Sequence, residues 1–389
     1  MSNDALTTTS KSQRLLSLDV FRGLTILAMI LVNNPGNWSK IYYPLSHAPW
    51  HGWTPTDLIF PFFLFIVGTS LAYSLRKYRD GAAIDHAVYH RILQRTAILF
   101  ALGLFTALFG RTLAILFQGA DSLHLETLRI LGVLQRIALV YLAASLIALH
   151  VRLPGQVVIA AVLLAVYWAA LTFLPASGNA ESRLSPEGNV VRVIDVAVLT
   201  ESHMYTQAKS ERTEPEGLLS TLPAIVNALI GYWAGLFIQR RGANWNTVGT
   251  LLVAGVTVAA IGLLWGQSFP INKKLWTSSF VLLTSGLAVA NLALCLAVFD
   301  IGGHRRLARA FEIVGVNAIF VFVGASLAAQ TLALKYKPDA SLKDWIYEEG
   351  FTDPIHDPYL ASFAFALTTV AIWWIILWAM SRRGWSIRV

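Results

Sequence analysis

His47 and Asp57 are the residues of this 389-residue chain whose types best suit proton chemistry. A histidine titrates near neutrality and can serve as general base or nucleophile. A carboxylate beside it can fix its tautomer, as in the Ser-His-Asp arrangement taken generally. Each also has a plainer reading. Asp57 opens an apolar run, where a helix dipole favours an acid, and His47 alone would pass for an interfacial histidine. A loop containing Pro49 and Pro55 separates them, so spacing does not by itself bring them together. Asn33 and Asn34 end the preceding apolar run before Pro35. They suit a helix end, or an amide that orients a substrate.

Other polar residues stand where burial would be costly. Gln135 and Arg136 lie inside the apolar stretch ILGVLQRIALVY. An unpaired arginine in hydrocarbon is expensive, so Arg136 calls for an acidic partner or a polar cavity holding an anionic cofactor. Lys273 and Lys274, in PINKKLWTSS, precede a later run and either snorkel to an interface or serve a site. Glu216 suits the start of a helix, Asn317 is an amide in an apolar run that must find a partner, and Asp19 and Arg22 have the spacing of an i,i+3 ion pair. The sequence has no glycine-rich phosphate loop, no metal-ligand cluster and no hydrolase nucleophile elbow. Its one cysteine, Cys295, can form no internal disulfide.

The elements that must hold these residues are transmembrane helices. The chain is 56% hydrophobic and 13% charged, against about 25% charged in soluble proteins. A bilayer core needs roughly 20 apolar residues per helix. Runs at 20–36, 57–75, 92–114, 128–149, 156–175, 217–238, 247–266, 276–299, 311–334 and 359–380 meet that need. The expected fold is therefore an all-α polytopic bundle of about ten spans, a multi-pass protein of the cell inner membrane. Lys and Arg gather in alternate loops: Arg76, Lys77, Arg79 and Arg91; Arg152; Arg240 and Arg241; Arg305, Arg306 and Arg309; Arg382 and Arg383. The positive-inside rule puts those loops, and both termini, in the cytoplasm. Residues 1–13 read as a disordered cytoplasmic tail and 14–389 as one transmembrane domain. The net charge of +8 is accounted for by these loops, so no nucleic-acid partner is expected. The partner is the lipid bilayer. Large apolar faces are required by lipid, so they leave a homodimer neither indicated nor excluded.

Taken together, the segments RLLSLDVFRGLTI, VNNPG, LSHAPWHGWTPTDLIFPFFLFIVG, GVLQR, EPEGLLSTLPAIVNALIGYWAG, PINKKLWTSSFVL and GVNAIFVFV resemble the heparan-α-glucosaminide N-acetyltransferase family, in the family's order, from about residue 14 to 325. The resemblance implies a membrane acyltransferase that takes acetyl from cytoplasmic acetyl-CoA and delivers it to an amino sugar on the far side. The family's active histidine falls on His47, its asparagine on Asn33 and its aspartate on Asp57. Arg136, Gln135 and Asn317 are then expected toward the cofactor, and Trp50, Glu216, Lys273, Lys274 and Trp276 toward the acceptor. No metal is expected. The resemblance does not extend to the N-terminal luminal domain of the animal members, so a bacterial short form acting on a small amino sugar or a cell-wall sugar is expected. The competing reading is a transporter of a similar small solute. It fits the span count, but no inverted repeat supports it.

Overall fold

The computed structural model describes residues 15–79, 81–174, 183–205, 213–337 and 340–387; the tail expected at 1–13 lies outside them. In chain order the helices are α1 (Leu16–Asn33), α2 (Pro55–Ser74), α3 (Arg76–Arg79), α4 (His86–Gln118), α5 (Val133–His150), α6 (Leu153–Phe173), α7 (Val190–Leu199), α8 (Leu218–Arg241), α9 (Trp245–Trp265), α10 (Ser278–Ile301), α11 (Arg305–Val316), α12 (Ala318–Leu332), α13 (Leu342–Tyr347) and α14 (Pro358–Arg382). A short antiparallel hairpin, β1 (Lys335–Lys337) with β2 (Ala340–Ser341), is a small departure from an all-helical chain. Nine helices among the described residues are long and apolar enough to cross a membrane, and α11 with α12 makes a tenth crossing if the pair is one span. The protein is thus a multi-pass helical membrane protein.

The run expected as a span at 311–334 is a broken helix. The pair bends by 67°. Asn317 stands at the break. Its Nδ2 donates to the Ile313 carbonyl at 3.1 Å, and its Oδ1 accepts from the Ile387 N–H at 3.0 Å. The buried amide finds its partners by ending one helix and tying down the C-terminal segment.

The bundle is apolar outside and more polar within. Leu93, Phe105, Leu116 and Phe117 on α4 are exposed, as are Val253, Val256 and Leu264 on α9. Such faces suit lipid, not water. The centre is α8, packed on α2. In lipid, apolar faces gain little by meeting, so close packing of small residues carries helix association. A Cβ at Gly68 would lie 1.7 Å from the Ala228 carbonyl oxygen, and one at Gly231 would lie 2.0 Å from that of Phe65. Only glycine allows α2 and α8 to approach this closely. Thr69 Oγ1 then reaches the Gly231 carbonyl at 3.1 Å. At the far end of the bundle, the Asp300 carboxylate accepts from the Ser17 N–H at 2.8 Å and the Leu16 N–H at 3.3 Å, satisfying two orphan donors of α1.

Candidate active site

Asp57 is built into the start of α2. Thr54 and Asp57 form a capping box ahead of the helix. Asp57 Oδ2 accepts from the Thr54 N–H at 2.9 Å, the Ala48 N–H at 3.1 Å and the Thr54 hydroxyl at 3.2 Å. These bonds fold the proline-containing loop back over the helix end and leave Oδ1 for His47, whose Nδ1 lies 2.6 Å away. The Asp57 side chain is 1% exposed and that of His47 is 48% exposed. A fixed carboxylate thus holds an imidazole that is open to ligand. With Nδ1–H donating to Asp57, the basic atom is Nε2.

Lys273 joins them from the loop between α9 and α10. Its Nζ stands 3.1 Å from His47 Nδ1, 3.2 Å from Nε2, and 3.7 Å from Asp57 Oδ1. The two loops are stitched together by Gly52 N–H donating to the Ile271 carbonyl at 2.8 Å and by Asn272 Nδ2 meeting His51 Nδ1 at 3.3 Å. Burial holds the Lys273 ammonium below its ordinary pKa, against the opposing pull of Asp57 and Glu216. Burial likewise lowers His51. The Lys274 ammonium lies 5.4 Å from the centre of the Trp50 ring, whose Nε1 donates to the Leu184 carbonyl at 2.7 Å.

Behind Lys273 lies a charged cluster. Arg129 bridges Glu214 and Glu216, its Nε donating to Glu214 at 3.0 Å. Burial alone would raise Glu216, but Arg129, Arg136 and Lys273 outweigh it and hold the carboxyl below the usual glutamate range. Asp195, on α7, accepts from the Leu218 N–H at 2.9 Å, and burial pushes its carboxyl up to about 6. Arg136 is fully buried. It donates to the Gly217 carbonyl at 3.2 Å and to Ser220 Oγ, and its guanidinium stands 4.9 Å from the Trp276 ring. Trp276, expected to face the acceptor, is 0% exposed and donates to Asn227 Oδ1 at 3.0 Å. It supports the site from within and cannot touch a ligand.

Toward the chain termini the bundle holds a cavity of about 630 Å³. Leu15 and Ile387, the first and last of the described residues, both line it, and His47 does not. Its polar wall includes Asp19, Arg22, Tyr73 and Arg95. Arg22 donates to Asp19 at 3.2 Å and to Ser70 Oγ at 2.8 Å, and the Arg95 guanidinium lies 4.8 Å from the Tyr141 ring. The apolar wall includes Phe63, Val67, Leu134, Ile137 and Phe322.

The structure therefore joins His47, Asp57 and Lys273 directly, with Glu216 behind Lys273. It does not place Gln135, Arg136 or Asn317 on the cavity wall. Gln135 packs against Gly103 instead, and Asn317 acts through Ile387. Asn33 is exposed at the end of α1, and no hydrogen bond links it to His47 or Asp57 among the described residues. Sequence reasoning missed Arg129 and Glu214. Arg129 stands at the very start of the run 128–149 and Glu214 just before the run 217–238, where charges are common, so neither position carried a signal.

The fold and this site define a class: a polytopic membrane protein with an acid-oriented histidine at one end and a deep cavity opening at the other. The model of the family "Heparan-alpha-glucosaminide N-acetyltransferase, catalytic" matches residues 14–261, and the chain belongs to that family. The human heparan-alpha-glucosaminide N-acetyltransferase is 26% identical over 417 aligned positions, covering 95% of this chain and 59% of the human protein. The mouse protein of the same name is 28% identical over 380 positions, covering 84% of this chain and 56% of its own length. The chain thus spans somewhat more than half the length of these relatives.

Proposed function

We propose that the protein is a membrane acyltransferase moving an acetyl group from acetyl-CoA to the amine of an amino sugar. Acetyl-CoA would enter from the cavity side, and the acceptor would meet the acetyl group at His47. Arg76–Arg79 follows the cavity-lining Tyr73 and Ser74, and Arg305–Arg309 follows Asp300, which bonds the start of α1 beside the cavity-lining Leu15; basic segments on that side argue that it faces the cytoplasm. The observation that carries the reading is the 2.6 Å contact of His47 with Asp57, an acid already held by three other donors.

The mechanism follows from these groups. Asp57 keeps the Nδ1–H tautomer and stabilises the imidazolium when Nε2 gains a proton. Nε2 takes the proton of the acceptor amine as the amine attacks, or carries the acetyl group itself; both routes use the same atom. The exposed amide of Asn33 is proposed to donate to the acyl oxygen as it gains charge. On the donor side, Arg22 and Arg95 would face the phosphates of acetyl-CoA, and the apolar wall would sheath its pantetheine arm. The cavity is within the usual range for a small-ligand site. Phe63, on its wall, follows Asp57 by six residues on α2, about 9 Å of helix rise. The acyl end therefore has a short distance left to reach the histidine. Glu216, Lys274 and Trp50, on the His47 side, are proposed to line the acceptor's approach.

Purified protein in detergent, given labelled acetyl-CoA and glucosamine, should yield acetylated sugar. A solute carrier would give none, because transport needs two compartments. Absence of transfer from a folded preparation would contradict the proposal.

A further inference from the structure

Lys273 sets a primary amine within hydrogen-bond reach of the basic nitrogen of His47. An acceptor amine must come to the same place for His47 to take its proton. We propose that Lys273 is itself an acyl acceptor: when no amino sugar is present, the acetyl thioester that reaches His47 acylates its Nζ.

The inference rests on the acyltransferase reading and extends it. The step balances. Lys273 gives one ammonium proton to Nε2, 3.2 Å away. The free amine attacks the thioester carbonyl, the C–N bond forms and the C–S bond breaks. The thiolate leaves and takes up the imidazolium proton, and the second amine proton is lost to solvent. The products are an acetamide on Lys273 and the free thiol. Orientation favours the reaction, since a bound amine and acyl group react as one molecule. The side chain is 19% exposed, and burial disfavours its charged form, so the neutral amine is more accessible than on a surface lysine. Its ion pair with Asp57 and the nearby charge of Glu216 work the other way.

The product differs from the amine in two ways. It has no charge, so Asp57 and Glu216 lose a shared cation. It also fills the space beside the imidazole that the acceptor needs. Acetylated Lys273 thus shuts the site, and the reaction acts as a brake on donor turnover when acceptor is scarce.

The full chain in detergent is incubated with acetyl-CoA alone and mapped by peptide mass spectrometry. The expected result is one acetyl group on Lys273, accumulating with time more than about tenfold faster than on Lys40 or Lys274, as positioning by the site requires. Glucosamine should suppress it, His47→Ala should abolish it, and lost transferase activity should track the modified fraction. Unmodified Lys273 in a preparation that acetylates glucosamine normally would overturn this inference and leave the enzyme reading standing. Equal labelling of Lys40, Lys274 and Lys273, unchanged by glucosamine, would mean solution chemistry and would also overturn it. If neither sugar nor Lys273 is acetylated, both readings fall.

Discussion

The two ends of the bundle solve different problems. At the His47 end the groups around the histidine are tied to one another: Asp57 is held by Thr54 and Ala48, His47 by Asp57, and Glu216 by Arg129. At the other end about 630 Å³ is left open, with Asp19, Arg22 and Arg95 on its wall. The closed end has few ways to rearrange, which suits groups that must meet a reacting atom in one geometry. The open end suits a large ligand that must enter and leave. Chemistry and donor binding should therefore separate in kinetics, and changes at each end should move different constants.

The largest effect falls on the fixed end. His47→Ala should lower kcat about 10⁴-fold, the scale seen when a positioned base is removed, while size-exclusion profiles and thermal midpoint stay close to wild type. Asp57→Asn comes next. An Asn oxygen can still accept from Thr54, but its amide must then face His47 Nδ1 and would force the proton onto Nε2. A loss of about 10²–10³-fold in kcat with unchanged KM for acetyl-CoA is expected, the scale of a misprotonated base. Equal loss in KM would show that the two ends are not separate. At the open end, Arg22→Ala combined with Arg95→Ala should raise the KM for acetyl-CoA about tenfold, one or two charge-assisted contacts' worth, and leave kcat nearly unchanged. A fall in kcat alone would assign these arginines to the chemistry.

The smallest effect concerns stability. Asp195 is raised from 3.8 to about 6 in the folded protein. A carboxyl raised on folding stabilises fully below its unfolded pKa, and that contribution is lost as pH rises through its folded pKa. The full shift corresponds to about 3 kcal/mol at most. Asp195→Asn keeps an acceptor for the Leu218 N–H and removes the charge. Its thermal midpoint should exceed wild type at neutral pH, and the gap should close as pH falls from about 6 toward 3.8. A constant gap across that window would show that Asp195 does not titrate there.

The same contrast explains what the sequence could disclose. Spans were legible because hydrocarbon demands long apolar runs, whatever the packing. The break at Asn317 was not, because a single amide in an apolar run looks alike whether it bends a helix or pairs across helices; its partner, Ile387, comes from the chain end. The residue types at His47 and Asp57 pointed to a pair, but only the Thr54 and Ala48 bonds to Asp57 show how the loop closes. Lys273 lies 226 positions from His47, and no local period reports a contact of that range. Arg136 carried the right signal, burial that needs acidic company, but its neighbours turned out to be the wall behind the site. One of the cavity's two arginines, Arg22, looked like half of an interfacial i,i+3 ion pair.

The central claim is that donor and acceptor meet from opposite faces of the membrane. It is tested most directly in sealed vesicles of one protein orientation, with acetyl-CoA confined to the cavity side and a membrane-impermeant amino sugar confined to the His47 side. The account predicts acetylated sugar on the His47 side and free CoA on the cavity side. Transfer that occurs only when both reactants share one side would contradict it.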